Sequence, residues 1–350
     1  MTATKNTHAR MSLLLGALPL LLLIGGCGLD EVDNIDDILD VEGRDTLDAQ
    51  RPDEVTSLGV DDNTDDQRLK SVILPLKPGV YRVQQASTSR FLDAYQSAGP
   101  DFSVVTREYQ PDDTQRWEFN AVGVVYRIQQ VSTGRYMDAY EDMPHDFSVV
   151  TRELQFNDTQ RWVALPVPNT LTTVTLQQLS TGRFLDAYED MAADFSVVTR
   201  PPQNNDTQRW VTGFSSGNIY TIQQLSSDRF VDAHETQGND YSVVTREFQP
   251  NDSQQWRFKP VAAVYTIQQL SSGRYMDAHQ TKSKDYSVVT REAQTNDTQR
   301  WVLSHFSGDT FTLQQLSSAR FVDAHEVPEQ DFSVVTRLAQ NNNSQRWIIQ

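Results

Sequence analysis

Three side chains able to do chemistry recur together six times along this 350-residue chain. Each unit carries an Asp (Asp93, Asp138, Asp186, Asp232, Asp277, Asp323) and then an Arg (Arg107, Arg152, Arg200, Arg246, Arg291, Arg337). A Gln follows (Gln115, Gln160, Gln208, Gln254, Gln299, Gln345). Core packing gives no reason to repeat a charged pair. Arg presents a flat, five-donor fork suited to carboxylate, sulfate or phosphate. Six near-copies of one constellation are the layout of a multivalent binder, whereas an enzyme uses one asymmetric constellation. The sequence shows no nucleophile–base pair, glycine-rich phosphate loop or metal cluster, and no segment is left to house a catalytic domain. The chain therefore reads as non-catalytic and free of cofactors.

These residues sit in a repeat that closes each time on Gln-x-Trp. The copies run Tyr81–Trp117, Tyr126–Trp162, Val174–Trp210, Tyr220–Trp256, Tyr265–Trp301 and Phe311–Trp347. Their period of about 46 residues marks a repeat architecture. In the second copy, 126–130 alternates apolar and polar residues, the pattern of a half-buried strand. A turn at 132–134 leads to a strand over 135–140, a polar tip at 141–145 and a β-branched strand over 147–152. Gln160-Arg161-Trp162 then opens a fourth strand. Each unit thus predicts four short strands and no helix. The six tips share length but not sequence, as exposed hairpin tips on a rigid frame do. Asp101, Asp146, Asp194, Asp240, Asp285 and Asp331 read as caps of these tips.

The N-terminus is different material. Lys5, His8 and Arg10 precede an apolar run, Leu13 to Ile24, too short to span a bilayer as a permanent helix. It ends in Ile24-Gly25-Gly26-Cys27, which resembles a bacterial lipobox, and Cys27 is the only cysteine. Residues 1–26 therefore read as a lipoprotein signal peptide, with Cys27 lipidated. By resemblance to enterobacterial lipoprotein sorting, Gly28 after the cysteine implies the outer membrane of a bacterial cell envelope. Residues 27–70 are Asp-rich and contain no aromatic residue, a self-repelling acidic tether. They hold no calcium-loop motif. The formal net charge is −17 and no basic patch appears, so nucleic acid is excluded as a partner.

Four strands in about 46 residues fit either a six-bladed β-propeller or two β-trefoils of three units each. The Gln-x-Trp ending resembles the ricin-type, or R-type, lectin repeat over residues 78–350. Arg90-Phe91-Leu92-Asp93-Ala94 and its counterparts strengthen the resemblance. It implies an all-β fold of two tandem β-trefoils, with Trp filling the core and Gln bonding the turn backbone. A second signal favours three plus three. The residue after Asp-Ala is Tyr95, Tyr140 and Tyr188 in the first three copies, and His234, His279 and His325 in the last three. Two bodies follow, 71–213 and 214–350.

The resemblance also implies a sugar pocket in each unit. The Asp accepts from two vicinal hydroxyls, and the Gln completes the polar contacts. Two departures stand out. The Arg occupies the position of the family's stacking aromatic, and Thr or Ser occupies that of its Asn. Tyr95, Tyr140 and Tyr188 could offer a replacement face, and the Arg favours acidic glycans. The three histidines suggest zinc, but a trefoil spreads equivalent residues around its rim, so no metal site is expected. The expected function is a multivalent carbohydrate-binding lipoprotein, with glycans or glycoconjugates as partners and the membrane reached through a lipid anchor. The alternative is an envelope scaffold on the same fold, in which each Asp pairs with its own Arg.

Overall fold

The computed structural model describes residues 76–350. The signal segment, Cys27 and the tether lie outside the described residues. The rest is all β, with twenty-three strands and eleven short 3-10 turns among the described residues. Each repeat builds its expected four strands. In the third these are Thr173–Gln178, Phe184–Ala187, Val197–Arg200 and Trp210–Ser216. The two middle strands form a hairpin in every repeat, registered in the third as Phe184↔Arg200 through Ala187↔Val197. The expected tip is a 3-10 turn, such as Met191–Ala193. The Gln before each Trp lies on a second 3-10 turn, such as Asp158–Gln160, and not on the fourth strand.

Six outer strands close a barrel and three hairpins cap it, so the fold is a pair of trefoils and not a propeller. Their membership departs from chain order. Repeats two, three and four form one body. Their hairpins meet through the bridges Ser148↔Val198, Val150↔Ser242 and Ser196↔Val244. Repeats one, five and six form the other, through Ser103↔Val289, Val105↔Ser333 and Ser287↔Val335. The core of this outer body gathers Trp117, Trp301 and Trp347 with Leu92, Met276 and Val322, all without exposed surface. The expected boundary at 213/214 is therefore corrected. It falls inside the inserted body, where Gly213 pairs with Thr221.

Two long strands carry the chain between bodies, Trp117–Gln130 outward and Trp256–Gln269 back. They pair with each other antiparallel from Trp256↔Gln130 to Gln269↔Trp117. The reason is local. Within a body, successive repeats turn at residues 167–172, at Ser216-Gly217-Asn218 or at Ser307-Gly308-Asp309, with the Gly of the last two at φ 54° and 52°. The segments Asn120–Val125 and Lys259–Val264 hold no such turn, so the strand runs on. Gly123 is needed where they cross, because a Cβ there would lie 2.6 Å from the Leu165 side chain and 2.9 Å from the Ala164 carbonyl. An apolar cluster of Val125, Val163, Leu165, Ala262, Val264, Val302 and Leu316 packs beside the crossing. Two bonds join the bodies as near mirror roles: Gln177 to Asp297 at 3.2 Å and Gln314 to Asp158 at 3.4 Å.

Each body is locked at its seams. The six core tryptophans are fully buried, and each indole N–H donates to a carbonyl of its own hairpin at 3.0–3.1 Å. The last Gln of each first strand is buried too. Its amide donates across to the preceding repeat of its ring at 2.8–3.1 Å, as Gln130 does to the Ser253 carbonyl. At each tip an Asp and the following aromatic both take left-handed backbone, φ 49–54°. That costs about 1–2 kcal/mol for an ordinary residue. The neighbouring repeat offsets it in two ways. Its Thr N–H bonds the aromatic's carbonyl at 2.9–3.0 Å. Its Arg lies over the ring at 3.6–3.9 Å, as Arg90 does over Phe332 and Arg135 over Tyr241.

One left-handed position is not offset. The turn before each hairpin has Gly134, Gly182 and Gly273 at φ 68–71°, but Ser89, Asp228 and Ala319 at φ 55–62°. Asp tolerates this backbone and Ala does not. Ala319→Gly should raise stability by about 0.5–1 kcal/mol, after subtracting glycine's larger unfolded entropy. Urea denaturation measures it. A lower midpoint for the variant would show that the strain is absent.

Candidate functional site

Each repeat forms a recess between its hairpin and the 3-10 turn that precedes the Trp. The Asp is its floor. Asp93, Asp138, Asp186, Asp232, Asp277 and Asp323 are all buried. Burial pushes the Asp93 carboxyl up, against the pull of Arg107. In four repeats one carboxylate oxygen accepts the next backbone N–H at 2.7–2.8 Å, as Asp93 does from Ala94.

The Gln stands behind the Asp and not on the recess wall as expected. Its amide donates to the Asp at 3.1–3.5 Å. The same amide donates to a turn carbonyl, and its oxygen accepts a turn N–H, as Gln160 does with Glu153 and Gln155. These bonds hold the turn against the hairpin and use up the Gln. It bonds the turn backbone, as the resemblance implied, and both of its amide hydrogens are committed inside the protein.

The Arg forms a half-exposed wall. Arg152, Arg246 and Arg337 approach their own Asp at 3.5, 3.8 and 3.8 Å. Each Arg also lies against the residue after Asp-Ala. Arg107, Arg152 and Arg200 stack over Tyr95, Tyr140 and Tyr188 at 4.3–4.5 Å. Arg246, Arg291 and Arg337 lie 3.2–3.4 Å from ring nitrogens of His234, His279 and His325.

The Tyr faces expected to receive a ligand are thus covered on one side. In the second repeat His145 stacks at 4.1 Å on Tyr140 as well. The polar ends of these residues are committed too. Tyr95, Tyr140 and Tyr188 donate to Asp331, Asp240 and Asp146 at 2.7–2.9 Å. His234, His279 and His325 face Asp194, Asp101 and Asp285 at 3.1–3.7 Å. The bond to Asp331 pushes the Tyr95 hydroxyl up, and that to Asp146 does the same for Tyr188. The tip Asp is therefore both a cap and a seam residue. Sequence reasoning missed the latter role, and also the Arg90 and Gln85 sets. The invariant Gln-Gln pair and the Arg ahead of each hairpin were the available signals.

In the sixth repeat the recess is a cavity of about 370 Å³. Asp323 is at the floor, with Arg337 and His325 on one side and Asn342, Asn343 and Ser344 on the other. Ser87, from the first repeat, closes the rim and donates to Glu326 at 2.5 Å. The turn of this repeat differs from most of the others. Asp113, Asp158, Asp206 and Asp297 pair with Arg116, Arg161, Arg209 and Arg300 at 2.7–3.0 Å. The sixth repeat has Asn343 there, and Arg346 lies instead over Phe306 at 3.7 Å. Its wall is left amide-rich and uncharged.

Two β-trefoils of Gln-x-Trp repeats, each with a carboxylate-floored recess, define the class. The sequence model described as the ricin-type beta-trefoil lectin domain-like family matches residues 65–153, 158–246 and 252–331, and the chain belongs to that family. The matched windows follow chain order and do not mark the bodies. No curated protein matches the sequence. Among solved structures, a designed three-fold symmetric protein, ThreeFoil, is 18% identical, over 39% of this chain and 97% of that one, with a TM-score of 0.35. The Rhizoctonia solani agglutinin is 17% identical, over 40% and 97%, with a TM-score of 0.35. A Polyporus squamosus lectin, solved bound to a human-type influenza-binding epitope, is 18% identical, over 41% and 51%, with a TM-score of 0.35.

Proposed function

We propose that this chain is a multivalent, non-catalytic carbohydrate-binding protein held at a bacterial envelope through lipidated Cys27. The sixth-repeat cavity carries the reading. Its size falls within the range of small-molecule sites. Its walls are carboxylate, amide, hydroxyl and guanidinium, which between them donate to and accept from a polyol. Membership of a lectin-like family supports it. The anchor rests on the lipobox, the sole cysteine and the acidic tether. Cys27→Ser should then release the chain from membranes. A variant that stays in the membrane pellet would remove the anchor from the reading.

A second reading has one observation behind it. The Asp, Gln, Tyr and His of the expected sites all have partners inside the protein, as a purely structural lattice would. A glycan array probed with residues 71–350 separates the two. Binding that falls at least about 10²-fold when the first residue of all six turns is replaced (Asp112→Trp, Asn157→Trp, Asn205→Trp, Asn251→Trp, Asn296→Trp, Asn342→Trp) supports the sugar reading, because no site is then left to hold the surface. A blank array, or binding indifferent to that change, favours the scaffold.

A further inference from the structure

The path of the two crossing strands determines where the recesses point. Each begins at a core Trp, beside the hairpin cap of one body, and ends at a buried Gln beside the cap of the other. Trp117 bonds the Leu92 carbonyl of the outer body's cap, and Gln130 bonds the Ala233 and Ser253 carbonyls of the inserted body. The open barrel ends therefore meet at the crossing, and the caps lie at opposite ends of the ribbon. Fourteen residues of strand separate them by about 43 Å. The described chain begins at the waist. The Leu76 carbonyl accepts from Tyr265, which stands opposite Ala121 near the ribbon's middle.

We infer that the two bodies present their recesses in opposite directions, so that the chain bridges two glycan-bearing surfaces instead of clamping one. This rests on the sugar reading above. Three recesses belong to each end. A flat surface touching the cap of the outer body leaves the tips 141–145, 189–193 and 235–239 facing away from it. Attachment at the waist leaves both caps clear of whatever holds the N-terminal side.

The test uses the full chain carrying Cys27→Ser, so that no acyl chain contributes, and beads of two colours. Parallel sets are coated with galactose, with N-acetylglucosamine and with the trisaccharide Neu5Acα2-6Galβ1-4GlcNAc. Three blocked variants place Trp at the exposed first residue of the turns, which leaves the buried Asp in place. One blocks the inserted body (Asn157→Trp, Asn205→Trp, Asn251→Trp). A second blocks the outer body (Asp112→Trp, Asn296→Trp, Asn342→Trp). A third follows chain order (Asp112→Trp, Asn157→Trp, Asn205→Trp). Thermal melts confirm that each is folded.

Wild type should join beads of both colours. Either body-wise variant should abolish joining yet change binding to a single bead less than about twofold, because the blocked sites never reached that surface. The chain-order variant should still join beads, since it spares sites at both ends. Joining that survives both body-wise variants overturns the inference. So does a loss of single-bead binding of about 10²-fold or more in a body-wise variant, which would place all six recesses on one surface. Wild type that binds no coating sinks the sugar reading itself, and the inference with it. Binding without joining sinks the inference alone.

Discussion

Residues 124–262 expressed alone should fold as a monomeric trefoil with one cooperative melt, while residues 76–213 should not. The first fragment holds every strand of the inserted body's barrel. Its ring closes through Tyr126↔Trp162, Trp210↔Val174, Tyr220↔Trp256 and Gln130↔Trp256. The second holds three consecutive repeats but separates repeat one from five and six, and repeats two and three from four. Closing these three on themselves would require the strand Trp117–Gln130 to fold back as a hairpin. It lacks the Ser-Gly-Asn or Ser-Gly-Asp turn found elsewhere, and a Cβ at Gly123 would meet Leu165 and Ala164 of a neighbouring strand. The expected product is a dimer in which two copies exchange repeat one. Size-exclusion chromatography and thermal denaturation decide. A compact, stable monomer from 76–213 would show that chain-order closure is open to these repeats.

Trp162→Ala in the 124–262 fragment should cost about 3–5 kcal/mol. The indole is fully buried, and its N–H satisfies the Met137 carbonyl at 3.0 Å. Truncation leaves a cavity at the centre of three repeats and a buried carbonyl without its donor. A domain of this size has only about 5–15 kcal/mol to lose. Trp162→Phe keeps most of the volume and should cost clearly less. Urea denaturation gives both values. A loss below about 1 kcal/mol for the alanine variant would mean that the repeat core collapses around the gap.

Much of this fold was legible in the sequence. The alternation over 126–130, the β-branched run Val149-Val150-Thr151 and the recurring Trp each name a strand or a buried position, and the structure places them there. The grouping of repeats was not legible from the residues that seemed to declare it. The Tyr-to-His change follows the two halves of the chain, which are copies of one another. The bodies instead trade the first repeat of each half, so the outer body holds Tyr95, His279 and His325. The better signal lay in the connectors: Ser-Gly-Asn and Ser-Gly-Asp turn, while 119–126 and 258–265 carry a small-residue apolar run instead. The site was half legible. Asp and Arg do share a hairpin in each repeat, and the Gln of the following turn bonds the Asp from behind. What engages them cannot be read locally, because partners come from another repeat. Tyr95 and Asp331 are 236 positions apart.

Nesting one body within the other sets the order in which the chain can fold as it is made. The inserted body has all its pieces once Ala262 has emerged. Repeat one was finished at Trp117, yet the repeats that complete its barrel end only at Trp301 and Trp347. At about 5–20 residues per second, repeat one waits roughly 10–50 s for them. Throughout that interval its half-built barrel edge is unpaired. Repeats five and six of a neighbouring nascent chain fit that edge as well as its own do. The spacing of ribosomes on a message thus bears on whether the product is a single chain or an interlinked pair.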